Sequence, residues 1–418
     1  MVARAACLFI AATAALTAGA EGLELGGLTK LNVIATSYPQ DSLINSAIGE
    51  SSGDLQGEFR LNLEWRRDGF AADLAYQAFA LAGDRLKLND LLPPGASIVI
   101  PRLPNDERRL FDMTRVIDES DNSALLHRVD RAWLGHSGER HVLRFGRQAL
   151  SWGNGLFYAP MDLVNPFDPS TIDTEYKFGD DMLYGQYLRD SGDDVQTAVV
   201  FRRNLISGDV EKEQGTAALK YHGLRGALEY DVLAAQHYDD FVFGIGGGRD
   251  VGGAVVRADL VVTDAPSKRY AQFVANVSYS WISAGRNMSG SLEYFYNGFG
   301  QSGGNYAPED LARNPELLAR IARGQIFTLG RHYVAASVMI EMTPLWTVTP
   351  ILLANAGDPS ALVQLTSRWS LGDNLVLLGS ANVPIGARGT EFGGIPTQVP
   401  GQVLASGPGL FAQLAWYF

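Results

Sequence analysis

Through most of this chain apolar and polar residues change places at every second position, the period of a strand with two unlike faces rather than of a helix. The stretch "RYAQFVANVSYSW" (269–281) shows it well, with Tyr270, Phe273, Tyr279 and Trp281 suited to an aromatic girdle at a membrane–water boundary. Such stretches predict strands at 28–38, 55–66, 69–81, 125–135, 141–150, 181–189, 195–204, 216–222 and 226–238. They continue at 241–247, 250–262, 269–282, 287–299, 330–343, 346–356, 360–371, 375–385 and 408–418. The count is about 18, and it is even only if 241–247 is kept. That segment runs into "GIGGGRD", which could also be loop.

The connections fall into two alternating sets. The short ones are "RRDG" (66–69), "HSGER" (136–140), "DSGDD" (190–194), "GLR" (223–225), "SAGRN" (283–287), "TPL" (343–345) and "GDN" (372–374), rich in turn-forming residues. The long ones are 39–54, 82–124, 151–180, 205–215, 300–329 and 386–407. Within 300–329, "PEDLARNPELLARIAR" (308–323) has helical spacing and predicts a short helix in a loop, as gate or as filler. After the first 20 residues no apolar run is long enough for a membrane helix. A chain of this pattern crosses a bilayer only by closing its backbone hydrogen bonds as a barrel.

The two ends bear on that choice. Residues 1–20, with Arg4 before "AACLFIAATAALTAGA", read as a cleaved secretory signal, leaving 21–418 as one barrel domain; an N-terminal anchor helix is the alternative. The single cysteine, Cys7, lies in that segment, so no disulfide holds the mature domain. The last stretch, "GLFAQLAWYF", puts Leu410, Ala412, Leu414, Trp416 and Phe418 on one strand face. An apolar last strand ending in phenylalanine resembles that of bacterial outer-membrane barrels, and the resemblance implies that Trp416 and Phe418 are part of a signal read by the barrel assembly machinery. A soluble exported β-sandwich with a buried edge strand is the competing reading. The formal net charge of −12 argues against nucleic acid as a partner.

Chemistry concentrates in "GRQALSWGNGLFYAPMDLVNPFDP" (146–169), which opens the long connection 146–181. Gly146, Gly153 and Gly155 permit a bulge and close approach; Pro160, Pro166 and Pro169 stiffen the segment; Trp152, Phe157, Tyr158 and Phe167 give it something to bury. This is the composition of an ordered loop, folded inward or held at the rim. It carries Asp162, Asp168, Asp173, Glu175, Asp180 and Asp181, and the adjacent strands carry Arg128, Arg131, Arg144, Arg147, Arg202 and Arg203. An arginine facing lipid near the midplane costs about 2–4 kcal/mol, so most of these should face the lumen or the rim, and Arg202 and Arg203, being consecutive, cannot both point inward. A basic wall opposite an acidic loop either pins that loop or also sets a transverse field across a pore. Gln148, Trp152, Asn154 and Asn165 complete the candidate constriction.

Other chemistries fit less well. The carboxylates could form a glycosidase pair, but spacing cannot show it. Asn154, Asp162, Asn165, Asp168 and Asp173 offer oxygen ligands to calcium without an EF-hand spacing. No nucleotide-binding or haem-attachment motif occurs. Ser151 has no evident partner, and the six histidines are scattered, with His127 and His141 as candidate neighbours on paired strands. No enzyme and no cofactor is expected.

The pattern "GRQALSWGNGLF…P.DL.NPF.P..ID.EYK.GDDML" resembles an uncharacterised group of proteobacterial outer-membrane barrel proteins of porin-like type, over roughly residues 107–204. More loosely it resembles the alginate-export porin type. The resemblance implies an all-β, antiparallel up-and-down transmembrane barrel of about 18 strands, with short periplasmic turns, long extracellular loops and outer-membrane lipid around it. It implies passive passage of a small polar or anionic solute. A barrel with an occluded lumen in a structural or secretion-associated role, or an outer-membrane barrel hydrolase, are the alternatives.

Overall fold

A computed structural model describes residues 22–88 and 103–418; the expected signal segment 1–20 lies outside them. The chain forms β1 Leu23–Ser37, β2 Ser51–Arg67, β3 Phe70–Gly83, β4 Thr114–Ser120, β5 Ser123–Ser137, β6 His141–Gln148, β7 Asp180–Leu188, β8 Asp194–Val200, β9 Thr216–Arg225 and β10 Leu228–His237. There follow β11 Asp240–Val251, β12 Ala254–Asp264, β13 Arg269–Ser283, β14 Arg286–Asn297, β15 His332–Thr343, β16 Trp346–Asn355, β17 Ser360–Gly372 and β18 Leu375–Ile385. A two-strand ribbon, β19 Ile395–Pro396 with β20 Val403–Leu404, precedes the last strand, β21 Gly409–Tyr417. Apart from β4 and the ribbon, the strands pair antiparallel in chain order. The sheet closes where β21 pairs with both β18 and β1. Eighteen strands make the wall, as the alternation predicts.

The wall is inside out relative to a soluble protein. On β1, Lys30 and Asn32 are buried at 2 % and 7 % exposure, while Leu31 and Val33 between them are about half exposed. The same holds around the circumference. Arg60, Gln77, Arg128, Asp231, Asp259, Asn276, Glu293, Gln364 and Gln413 are buried, whereas Leu143, Phe145, Leu219, Phe243, Leu292 and Leu365 are exposed. A polar lumen and an apolar outer band are what a bilayer selects for, since every backbone group is paired within the closed sheet. Among the described residues no helix is long and apolar enough to cross a membrane.

Tight turns such as Asp68–Gly69, Gly252–Gly253 and Ala284–Gly285 close the end at which the chain enters and leaves the barrel. The long connections gather at the other end. Several boundaries differ from expectation. "GIGGG" is strand, since β11 runs unbroken to Val251, and the turn falls at Gly252–Gly253. β6 ends at Gln148 and β8 at Val200, so Arg202 and Arg203 lie in the connection above the wall. The segment 308–323 is two short helices, Pro308–Ala312 and Pro315–Ala322, because Asn314–Pro315 starts a new helix with its own side-chain cap. Tyr270 faces inward and stacks on Phe299, with ring centroids 4.2 Å apart, so it is not part of the girdle that Tyr279 and Trp281 form outside.

One strand was not foreseen. β4, inside the connection expected at 82–124, folds back onto the outer half of β5, while β6 occupies the inner half. Strands β6, β7 and β8 have 8, 9 and 7 residues, at or below the roughly 9–11 that span a bilayer. The segment leading into β4 completes the wall above them, bridging at Arg109 to Arg202.

Candidate functional site

The connection from β6 to β7 enters the lumen. Gly146, at φ +124°, makes this departure possible: a Cβ there would sit 2.2 Å from the Ala132 carbonyl. Trp152 donates its indole N–H to Gln196 on β8 at 2.6 Å. Trp152, Met161 and Leu163 pack on Ala198, Ala218, Leu233, Ala235, Val242 and Val261, which form an apolar patch across β8–β12 in an otherwise polar lumen. The Asn154 backbone N–H and amide both donate to Asp259 at 2.7 Å, and the amide also reaches Asp231 at 3.3 Å.

Beyond Gly155 the chain doubles back so tightly that a Cβ there would meet the Tyr158 carbonyl at 1.8 Å. The N–H groups of Leu156, Phe157 and Tyr158 all donate to the Glu293 carboxylate on β14, at 2.6, 3.0 and 2.7 Å, and Asn276 adds a fourth bond at 3.2 Å. The Tyr158 ring lies flat on Phe295 at 4.7 Å. Val164 then returns to Met182 and Val200, and Asn165, at φ +50°, donates to the Phe178 carbonyl at 3.3 Å.

The second half of the loop covers the other side of the wall. The Ser170 carbonyl accepts from Gln364 on β17 at 3.0 Å, and the Asp168 carboxylate accepts from Ser170 of its own turn. Asp173 and Glu175 both pair with Lys30 on β1, at 2.6 and 2.9 Å. Gln413 on β21 also donates to Asp173, and the Tyr417 hydroxyl to Glu175. Tyr176 lies under the Arg60 guanidinium at 4.0 Å and Phe178 under Arg128 at 4.9 Å. Contacts therefore reach the wall from β8 round to β5.

The candidate residues are thus partly regrouped. Asp180 and Asp181 open β7; Asp180 pairs with Arg202 at 2.8 Å and Asp181 with its cross-strand neighbour Arg147 at 2.9 Å, so these two pairs brace the wall and not the loop. Arg147 is fully buried and also holds Asp106 at 2.9 Å, so it clamps the segment above β6 and does not line the lumen. Arg109 and Arg147 outweigh the effect of burial on Asp106 and hold its carboxyl at about 2. Arg128 and Arg131 pair with Asp130 of their own strand, as does Arg60, so the loop carboxylates are not their partners. Arg144 lies over Trp133 at 4.6 Å, away from the loop acids. Arg203 donates to the carbonyls of Leu110 and Gly208, and Gln148 is buried with a long contact to the Met182 carbonyl. Phe418 exchanges backbone bonds with Gly27, and its ring contacts Trp416 and Phe59.

Ser151 does have a partner. Lys177 donates to its hydroxyl at 3.1 Å, but also to the Leu150 carbonyl and to Asp162, both at 2.5 Å. An ammonium that spends all three protons is a structural node, not a base. Burial pushes Asp162 up to about 6 and lowers Lys177, the cost of holding this pair inside. His141 lies 3.3 Å from His136 rather than beside His127. Among the described residues no group of three or more His, Cys, Asp or Glu is placed to hold a metal.

The outer connections are also tied to one another and to the strand ends. Glu391 accepts from Leu329 N–H and the Asn355 amide, both at 2.7 Å, and from the Tyr333 hydroxyl; burial pushes its carboxyl up to about 7. Arg388 makes a two-pronged pair with Asp41, at 2.6 and 2.7 Å.

Sequence reasoning missed the wall side of the site: Lys30, Arg60, Asp130, Asp259, Glu293 and Gln413. Each stands at an inward position of an alternating strand, which is the only mark it carries in the sequence.

These features define a transmembrane antiparallel barrel whose longest ordered inner loop lies across the lumen. The fold is that of outer-membrane porins. Three solved structures share it: Acinetobacter baumannii OccAB2 (10 % identity, 95 % of this chain and 98 % of that one, TM-score 0.53), OccAB4 of the same organism (7 %, 95 % and 98 %, 0.53) and a BenF-like porin from Pseudomonas fluorescens Pf-5 (8 %, 95 % and 99 %, 0.51). At such identities the likeness is one of fold. No protein-family model and no curated protein sequence matches the chain.

Proposed function

We propose that this protein is an outer-membrane channel of porin type for small polar or anionic solutes, with residues 149–179 as its constriction. The observation that carries the reading is a polar lumen crossed by an ordered loop that is tied to the wall by side chains. Charge is unevenly placed around that lumen. Lys30, Arg60, Arg128, Arg131 and Arg144 outnumber Glu58, Asp73 and Asp130 on β1–β6, and Asp231, Asp259 and Glu293 outnumber Arg257 on β10–β14. A field between these faces would orient an anionic solute passing between loop and wall. The C-terminal Trp416 and Phe418 are proposed to serve assembly.

Purified, folded protein in planar bilayers should give stepwise conductance, and R131Q should shift its ion preference. A second reading, a barrel occluded in a structural role, draws support from the loop's contacts on opposite walls. That barrel would give no conductance above background, which would remove the channel reading.

A further inference from the structure

We propose that His136 and His141, which meet across the β5–β6 turn on the outer face of the wall, form a two-imidazole site for a tetrahedral divalent metal ion such as Zn2+. Both residues point away from the lumen. His136 stands opposite Phe70 on β3 and Leu143 on β6, which are 50 % and 52 % exposed, and directly opposed residues share a face. His141 lies two positions before Leu143 and opposite Tyr187, which is exposed as well. The Phe70 ring meets His136 edge-on at 4.8 Å. The pair thus sits at the turn end of the barrel, between aromatic rings at the margin of the apolar band.

The spacing is that of two ligands on one ion. His141 Nε2 lies 3.3 Å from His136 Nδ1, longer than a good N–H hydrogen bond. Two nitrogens bound at about 2.0–2.1 Å to one tetrahedral metal stand about 3.3–3.4 Å apart. On binding, the proton between them moves to the other nitrogen of its ring through water, and both imidazoles ligate as neutral groups. Two glycines leave room for the rings. A Cβ at Gly138 would lie 2.4 Å from His141 Cε1, and one at Gly69 would lie 3.2 Å from His136 Nε2. The backbone that carries the ligands is fixed, since Gly138 N–H donates to the His141 carbonyl at 2.8 Å and Ser137 N–H to that of Gly69 at 2.7 Å. Other imidazoles are engaged elsewhere: His222 with Asp231, His237 with Thr216 and Gln325, and His332 with Tyr294. Two protein ligands leave two positions for water or, at this depth, a lipid phosphate. A bound ion would fasten β5 to β6 where the wall's strands are short, whether or not the lumen conducts.

The test is calorimetric titration of ZnCl2 into the folded protein in detergent micelles at neutral pH, with no histidine tag on the chain and MgCl2 as control. Heat-dependent migration in gels checks that each variant folds. The native chain should show one saturable Zn2+ site and none for Mg2+. H136Q and H141Q should each weaken Zn2+ binding at least tenfold, while H127Q stays within twofold of native. G138A keeps both ligands but displaces the His141 ring, and should weaken binding severalfold. Zn2+ should also raise the temperature at which the native barrel unfolds in gels, and leave that of H136Q unchanged. Absence of a saturable Zn2+ site, or affinity within twofold of native in both H136Q and H141Q, would overturn the proposal.

Discussion

Glu293 is the sharpest place to loosen the loop without disturbing the wall. In Glu293→Gln one carboxylate oxygen becomes an NH2 group. The carboxylate accepts from Phe157 and Tyr158 through Oε1, and from Leu156 and Asn276 through Oε2. Gln can satisfy the first pair only by turning a donor toward Leu156 N–H, which stands 2.6 Å away. Hydrogen bonds to a charged acceptor contribute about 1.5–3 kcal/mol each and neutral ones about 0.5–1.5. Losing two and weakening two, less the relief of a buried charge, leaves a net cost of about 2–4 kcal/mol. That raises the released-loop population roughly 30- to 700-fold. Chymotrypsin, which cuts beside Phe157 and Tyr158, reads that population directly when reclosing outruns cleavage. Single-channel recording should show a larger or noisier open level in the same variant. Cleavage within twofold of native together with an unchanged channel would refute the account of Glu293 as the pin.

Other outcomes follow from the same geometry. Arg147→Met strands the buried carboxylates of Asp106 and Asp181 and should cost about 3–5 kcal/mol, read as a lower urea midpoint in micelles and as new tryptic cuts at Arg108 and Arg109. Gly155→Ala drives a methyl into the Tyr158 carbonyl, which would lie 1.8 Å from it; it should speed chymotryptic cleavage of the loop without altering gel-monitored barrel folding. Glu391 has a folded pKa of about 7 against an ordinary value of 4.5, so its contribution is fully present below pH 4.5 and is lost as pH rises through 7. The shift corresponds to about 3 kcal/mol. Amide exchange at Leu329 should therefore quicken from pH 5 to pH 8 beyond its intrinsic trend, and E391Q should flatten that excess.

The wall was legible because a bilayer forces alternation, and alternation survives in short runs such as Lys30, Leu31, Asn32 and Val33, which face in and out by turns. β4 was not legible, because "TRVIDES" gains its strand form only by lying along β5. The inward path of the loop was foreshadowed by its rings and prolines. Its partners were not: Asp173 finds Lys30, 143 residues earlier, past nearer arginines that Asp130 already holds. Spacing along a strand shows which way a side chain faces, and carries no information on what will cross the lumen to meet it. The same limit hid Glu293, one carboxylate in "SLEYFYN" with no nearby cation to advertise it.

Asp173 has one more consequence. Its carboxylate is held from one side by Lys30 on the first strand and from the other by Gln413 on the last. Those two strands meet at the one junction made between opposite ends of the chain, where an open sheet would leave two unpaired edges. A residue from mid-chain thus braces the seam from within. A chain that loses the Asp173 contacts in particular should close late and reopen first along β1 and β21.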